Sequence, residues 1–212
     1  MKTVAILAQK GGVGKTTLAV HLAVASSVHR NTALIDLDPQ ASATSWSDRR
    51  EAETPVVLSA HATRLPQEKA RVEEAGGELL VVDTAPHSSS AALAAARAAD
   101  LVLIPCRPAI LDLEAVASTL SLVRTIRSSP PVVVVLNGVQ PRGRDAAEAA
   151  EAVGNLGVDV APPWVVTRVL FARALITGHA AGELRPRGKA AREIERVHEF
   201  MCAQLNMGGQ RK

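Results

Sequence analysis

Tyrosine is absent from this chain of 212 residues, and two phenylalanines with two tryptophans are all its aromatics. A surface that binds nucleic acid by stacking on bases has no material to be built from here. Cysteine is almost as scarce. Cys106 and Cys202 stand far apart with no CxxC spacing. They supply neither a disulfide framework nor an iron–sulfur or zinc site, so the expected compartment is the cytoplasm. No apolar run approaches the roughly 20 residues needed to span a bilayer. The opening MKTVAIL is apolar only briefly and runs into glycines without a small-residue cleavage site, so no signal peptide is expected. A strong charge bias is missing too: the net charge is +3. It is unevenly placed, with 10 basic and 11 acidic side chains in residues 1–106 against 14 and 10 in residues 107–212.

What remains is a globular composition, 47% hydrophobic and 21% charged. The length suits one compact domain with a real core. Nearly continuous β-branched and aliphatic runs predict strands at 3–8, 32–37, 79–83, 101–105 and 132–137. Such runs have no polar face, as in parallel strands covered on both sides. Between them helices are expected at 15–28, 64–75, 89–98, 112–127 and 144–155. A last helix at 188–206 aligns Ile194, Val197, Met201 and Leu205 on one face. Alternating strands and helices predict an α/β three-layer, doubly wound fold with a mostly parallel sheet. No internal repeat or linker divides the chain, so residues 1–212 are expected to be one domain.

The function-bearing stretch is QKGGVGKTT, residues 9–17, after the first strand and before the first helix. Glycines let successive backbone N–H groups turn inward on a phosphate, and a helix N-terminus adds positive potential. In the pattern GxxxxGK[ST] the lysine meets the β/γ-phosphates and the hydroxyl meets magnesium. Gly14, Lys15 and Thr16 fit, while Gln9 stands where the pattern has its first glycine. Gly11, Gly12, Val13 and Thr17 complete the candidate cradle. Downstream, LIDLDPQ carries Asp36 and Asp38, and LLVVD ends a buried strand in Asp83. A carboxylate on an apolar strand is costly unless a cation or hydrogen bonds compensate it.

A second lysine, Lys10, has no evident task within its own subunit. Here QKGGVGKTT resembles the deviant Walker A motif, KGGxGK[ST][ST], of the ParA/MinD family of ATPases. The resemblance implies ATP and Mg2+ as ligands and a homodimer formed with ATP, in which Lys10 reaches the nucleotide held by the other subunit. It further implies that Asp38 orients the attacking water, that Asp36 supports the magnesium region, and that Asp83 holds the metal with Thr16. Lys10, Lys15 and Asp38 are thus the candidate catalytic residues. Thr84-Ala85-Pro86 and Ser88-Ser89-Ser90 are expected to form the loop that senses the γ-phosphate. Asn137 occupies a position where relatives contact adenine, although Asn-Gly is equally an ordinary turn. Arg168, Phe171, Ala174 and Gly178 resemble the family's late IxxRxxFxxAxxxG region.

Among relatives, iron–sulfur carriers lack their cysteines here, and arsenite-pump ATPases are much longer. The last helix mixes Glu193, Glu195 and Glu199 with its basic residues, and the tail MGGQRK is too polar to insert, so no membrane partner is expected. With the loop beginning at residue 9, no N-terminal DNA-reading domain is expected. A short ParA-like ATPase remains, expected to be nucleoid-associated when ATP-bound. Its expected roles are weak, partner-stimulated ATP hydrolysis and the positioning of a plasmid or other large cargo. The implied partners are nonspecific duplex DNA and a ParB-like or cargo-adaptor activator. Arg168, Arg173, Arg185, Arg187, Lys189 and Arg192, against the single acid Glu183, are the candidate DNA contacts. Two alternatives stay open: a metabolic P-loop transferase of the dethiobiotin-synthetase type, and a nucleotide-dependent scaffold that does not hydrolyse.

Overall fold

Strand β1 (Lys2–Ile6) runs down the middle of a parallel sheet, between two strands that come later in the chain. The structure, a computed structural model, describes residues 1–142 and 144–208; the tail from residue 209 lies outside it. After β1 come α1 (Lys15–Ser27), β2 (Thr32–Asp36), α2 (Ser42–Ser47), β3 (Val56–Ser59), α3 (Leu65–Glu74) and β4 (Leu79–Asp83). Then follow α4 (Ser89–Ala98), β5 (Leu101–Cys106), α5 (Ile110–Arg124), β6 (Val132–Val139) and α6 (Asp145–Gly154). The chain closes with β7 (Asp159–Val160), β8 (Val165–Val166), α7 (Val169–Ile176), α8 (Ala181–Leu184) and α9 (Lys189–Gln204).

The strand order is β3-β2-β4-β1-β5-β6-β7, with β8 also pairing β6, and every recorded pairing is parallel. Alternation along β1 builds the three layers. Val4 and Ile6 face α1 and α9, while Ala5 and Leu7 face α3, α4 and α5. Ile194, Val197, Met201 and Leu205 are all buried, as the helical spacing predicts. The fold is the expected doubly wound α/β layer structure.

Register is what positions the site. Ile6 and Asp36 both lie opposite Asp83 across parallel pairs, so β1, β2 and β4 end on one line. Ligands of open α/β sheets bind at such carboxyl edges. No described helix is long and apolar enough to cross a membrane.

Several elements differ from the sequence expectation. Helix α5 starts at Ile110, which brings Asp112 into its first turn. Strand β6 continues to Val139 by bending through Gly138, whose φ of 71° favours glycine. Strand β3 is a half-exposed edge strand of four residues, too short to announce itself. The sequence of α2, SATSWS, is a poor helix former. It is held instead by the Asp36 carboxylate, which accepts the N–H groups of Ala43 and Thr44.

Candidate nucleotide site and basic surface

Between β1 and α1 the chain makes the phosphate cradle. Gly12 and Gly14 have φ of 74° and 92°, which side-chain-bearing residues rarely adopt. Gly14 has a second reason to be glycine, since a Cβ there would lie 2.2 Å from Asn137 Nδ2. That amide donates to the Val13 carbonyl at 2.7 Å. Asn137 therefore sits on the cradle, against the loop itself. Thr16 and Thr17 open α1, with the hydroxyl of Thr16 toward Asp83. Lys15 is buried, its Nζ donating to the Lys10 carbonyl at 3.2 Å. Burial lowers its pKa from the usual lysine value, and the negative charges of Asp83 and Asp38 offset part of that.

Asp83 is the exceptional group. It is fully buried at the end of β4, and neither carboxylate oxygen has a hydrogen-bond partner among the described residues. Burial pushes its pKa up to about 7. The Thr16 hydroxyl nearby offsets some of the rise without reaching hydrogen-bonding geometry, and Asp36 adds to it. A buried carboxylate with empty lone pairs beside a hydroxyl fits a hydrated divalent cation, which prefers oxygen ligands. The residues present fit magnesium.

Asp36, for which the resemblance implies metal support, also braces its own loop. One oxygen accepts from Asp38 N and the other from Ala43 N, Thr44 N and the Thr44 hydroxyl. With both oxygens taken by donors, it organises the loop and α2. Asp38 is past the strand end and half-exposed, with one oxygen accepting from Gln40 N. Its charge reaches both Lys15 and Asp83, so it faces the site.

Lys10 is not idle within its own subunit. Its Nζ lies 2.8 Å from Asp112 Oδ1. Asp112 is buried and also held by Arg107, whose Nε is 3.0 Å from Oδ2. Burial raises the pKa of this carboxyl, but the bonds from Lys10 and Arg107 outweigh that and leave it below the usual range. The Gln9 backbone is pinned from two sides, its N–H donating to the Thr119 hydroxyl and its carbonyl accepting from His87 N, each at 3.2 Å. His87 itself has a φ of 54°, uncommon for a residue with a side chain. Asp112, Arg107, Thr119 and His87 escaped the sequence reading. Only the helix start that puts Asp112 beside the loop could have flagged it.

The basic stretch divides. Arg173, Arg185, Arg187, Lys189 and Arg192 are exposed, whereas Arg168 is half-buried in an ion pair with Glu193. The acid that engages Arg168 stands one residue beyond the stretch counted from sequence. Arg168, Arg185 and Lys189 nevertheless line one shallow cleft of about 380 Å³. Glu183 is paired with Arg50 instead.

Comparison with known proteins agrees with this geometry. The model of the CobQ/CobB/MinD/ParA nucleotide binding domain matches residues 4–179. A maintenance of carboxysome distribution protein A from Gloeobacter kilaueensis is 36% identical over 208 residues, covering 97% of this chain and 94% of that protein. Protein ParA of Rhizobium radiobacter is 27% identical, covering 96% of each. Among solved structures, the ATP complex of Cyanothece McdA superposes with a TM-score of 0.80 at 19% identity, over 100% of this chain and 99% of that one. MinD of Pyrococcus horikoshii with Mg-ADP also gives 0.80, at 15% identity over 97% and 98%. The chain belongs to the CobQ/CobB/MinD/ParA nucleotide-binding family, and within it to the ParA/MinD ATPases that act on ATP with magnesium.

Proposed function

We propose that residues 1–212 form one P-loop ATPase domain working as an ATP-switched dimer that positions a large cargo over nucleoid DNA in the cytoplasm. The observation that carries this reading is Lys10, a second lysine in the cradle, with a nucleotide already served by Lys15. Two ATP-loaded copies face each other across the carboxyl edge of the sheet, and each supplies Lys10 to the other's nucleotide. Lys15 meets the β/γ-phosphates, Thr16 and Asp83 hold the metal, and Asp38 orients the attacking water with its second oxygen. Magnesium, when bound, neutralises phosphate charge that the protein alone cannot. Asn137 borders the base while holding Val13 in place.

Arg173, Arg185, Arg187, Lys189 and Arg192, doubled by a two-fold axis, suit duplex DNA gripped by its phosphates without base readout. A ParB-like or cargo-adaptor protein accelerates slow hydrolysis and returns the monomers. The likeness to a carboxysome distribution protein along almost the whole chain favours a carboxysome-like assembly as cargo over a plasmid. The test is size-exclusion chromatography with light scattering, with and without magnesium–ATP. ATP but not ADP is expected to give a dimer, and Lys10→Ala to bind nucleotide yet remain monomeric. A dimer formed equally by Lys10→Ala refutes the trans role.

A further inference from the structure

The cis pairing of Lys10 raises a conflict. A lysine held 2.8 Å from a buried carboxylate of its own chain cannot at the same time serve a nucleotide across a dimer axis. The geometry points to Asp112 as a positioning residue for the ATPase reaction: it stores Lys10 in the nucleotide-free monomer and sets the threshold for dimerisation. This inference rests on the trans role proposed for Lys10.

Three features make Asp112 a store rather than a permanent anchor. First, Lys10 remains 29% exposed while Asp112 is 1% exposed, so the lysine is the partner free to leave. Second, Arg107 holds both oxygens of Asp112, at 3.0 and 3.3 Å. When Lys10 departs, the buried carboxylate keeps a cation, and the penalty of an orphaned charge is avoided. Third, the two residues that precede Asp112 on α5 are large, apolar and exposed: Ile110 at 71% and Leu111 at 62%. They flank the point where Lys10 leaves, so a facing copy would cover them as it draws the lysine out. The released bond and the newly buried apolar surface then oppose each other, which is how a threshold is made.

The arithmetic follows from competition. A charge-assisted bond of this kind biases Lys10 toward the stored state by about tenfold. Both copies must release their lysine, so the bias enters twice and weakens the apparent dimer affinity by roughly a hundredfold. Asp112→Asn and Asp112→Ser remove the anion. Each is expected to form the magnesium–ATP dimer at a markedly lower protein concentration than the parent, by tenfold or more in the dissociation constant. A merely structural role predicts the opposite sign, a weaker dimer. An unchanged or raised dissociation constant in folded, nucleotide-binding variants overturns the inference.

A second measurement needs no variant. Competitive acylation of the nucleotide-free parent, read by mass spectrometry, is expected to find Lys10 protected relative to exposed Lys189, and magnesium–ATP to change that protection. Equal labelling of the two lysines overturns the store. A parent that never dimerises with ATP refutes the proposed function instead, and the labelling still decides the pairing.

Discussion

Replacing Asp83 with asparagine should stabilise the nucleotide-free protein while destroying its response to magnesium–ATP. The reasoning starts from a carboxylate with two unpartnered oxygens, fully buried at the end of β4. Its pKa rises from 3.8 to about 7, chiefly through desolvation. For an acid whose pKa is higher in the folded chain, the unfolded chain ionises first as pH rises. Stability is therefore lost between about pH 4 and pH 7, and above that the loss is complete. A rise of about three pH units corresponds to roughly 4 kcal/mol. Asparagine removes the charge but leaves a buried amide short of partners, which costs about 1–3 kcal/mol. The net gain for Asp83→Asn at pH 8 is then about 1–3 kcal/mol.

The assay is denaturant unfolding of parent and variant in a chelating buffer at pH 5 and pH 8. His21 and His198 are both pushed down to about 4 by burial, so they weaken the fold toward acid in both proteins and cancel in the difference. The variant's advantage should be large at pH 8 and shrink at pH 5, where folded Asp83 keeps its proton. With magnesium–ATP the order should reverse, because only the parent gains. A variant less stable than the parent at pH 8, or equally stabilised by magnesium–ATP, would refute the reasoning.

Gly14→Ala meets both a φ of 92° and a contact of 2.2 Å with Asn137 Nδ2. It should cost about 2–3 kcal/mol of stability and lower ATP affinity at least tenfold in a nucleotide titration. Parental affinity would mean the cradle is looser than the geometry states. The Arg168–Glu193 ion pair changes which charge reversal probes DNA. Arg168→Glu faces Glu193 with a second carboxylate and should lower stability by roughly 1–3 kcal/mol, confounding any binding measurement. Lys189→Glu with Arg192→Glu breaks no ion pair among the described residues. It should leave the dimer intact yet reduce DNA affinity and flatten its salt dependence by about one log–log unit per lost contact. Undiminished DNA binding by that double variant would remove α9 from the interface.

Legibility in the sequence followed burial. The five central strands were visible because strands covered on both faces need uninterrupted apolar residues, and LLVVD or VVVVLN can hardly be anything else. Gly12 and Gly14 were visible because their backbone angles admit little but glycine. Edge strand β3 and helix α2 were not, since one is half-exposed and the other exists through Asp36 rather than its own propensity. The bracing role of Asp36 was hidden for the same reason: its four donors come from residues two to eight positions on, which alternation along a strand cannot reveal. Lys10 and Asp112 are 102 positions apart in sequence, and only the packing of α5 beside the loop joins them.

The site's own residues are also out of charge balance in a way that anticipates a ligand. Lys15 is a buried cation whose hydrogen bond among the described residues goes to a carbonyl, and burial disfavours its charge. Asp83 is a buried anion with no hydrogen bond, and burial disfavours its charge as well. The two do not pair with each other as a salt bridge, although each feels the other's field. A triphosphate supplies an anion to Lys15, and its magnesium supplies a cation to Asp83, so one ligand relieves both penalties. Lys10 differs because Asp112 already satisfies it. Nucleotide alone therefore has strong reason to enter the cradle but weak reason to move Lys10. Binding and dimerisation become separable steps, with the second drawing on the apolar surface of Ile110 and Leu111 that only another molecule can cover.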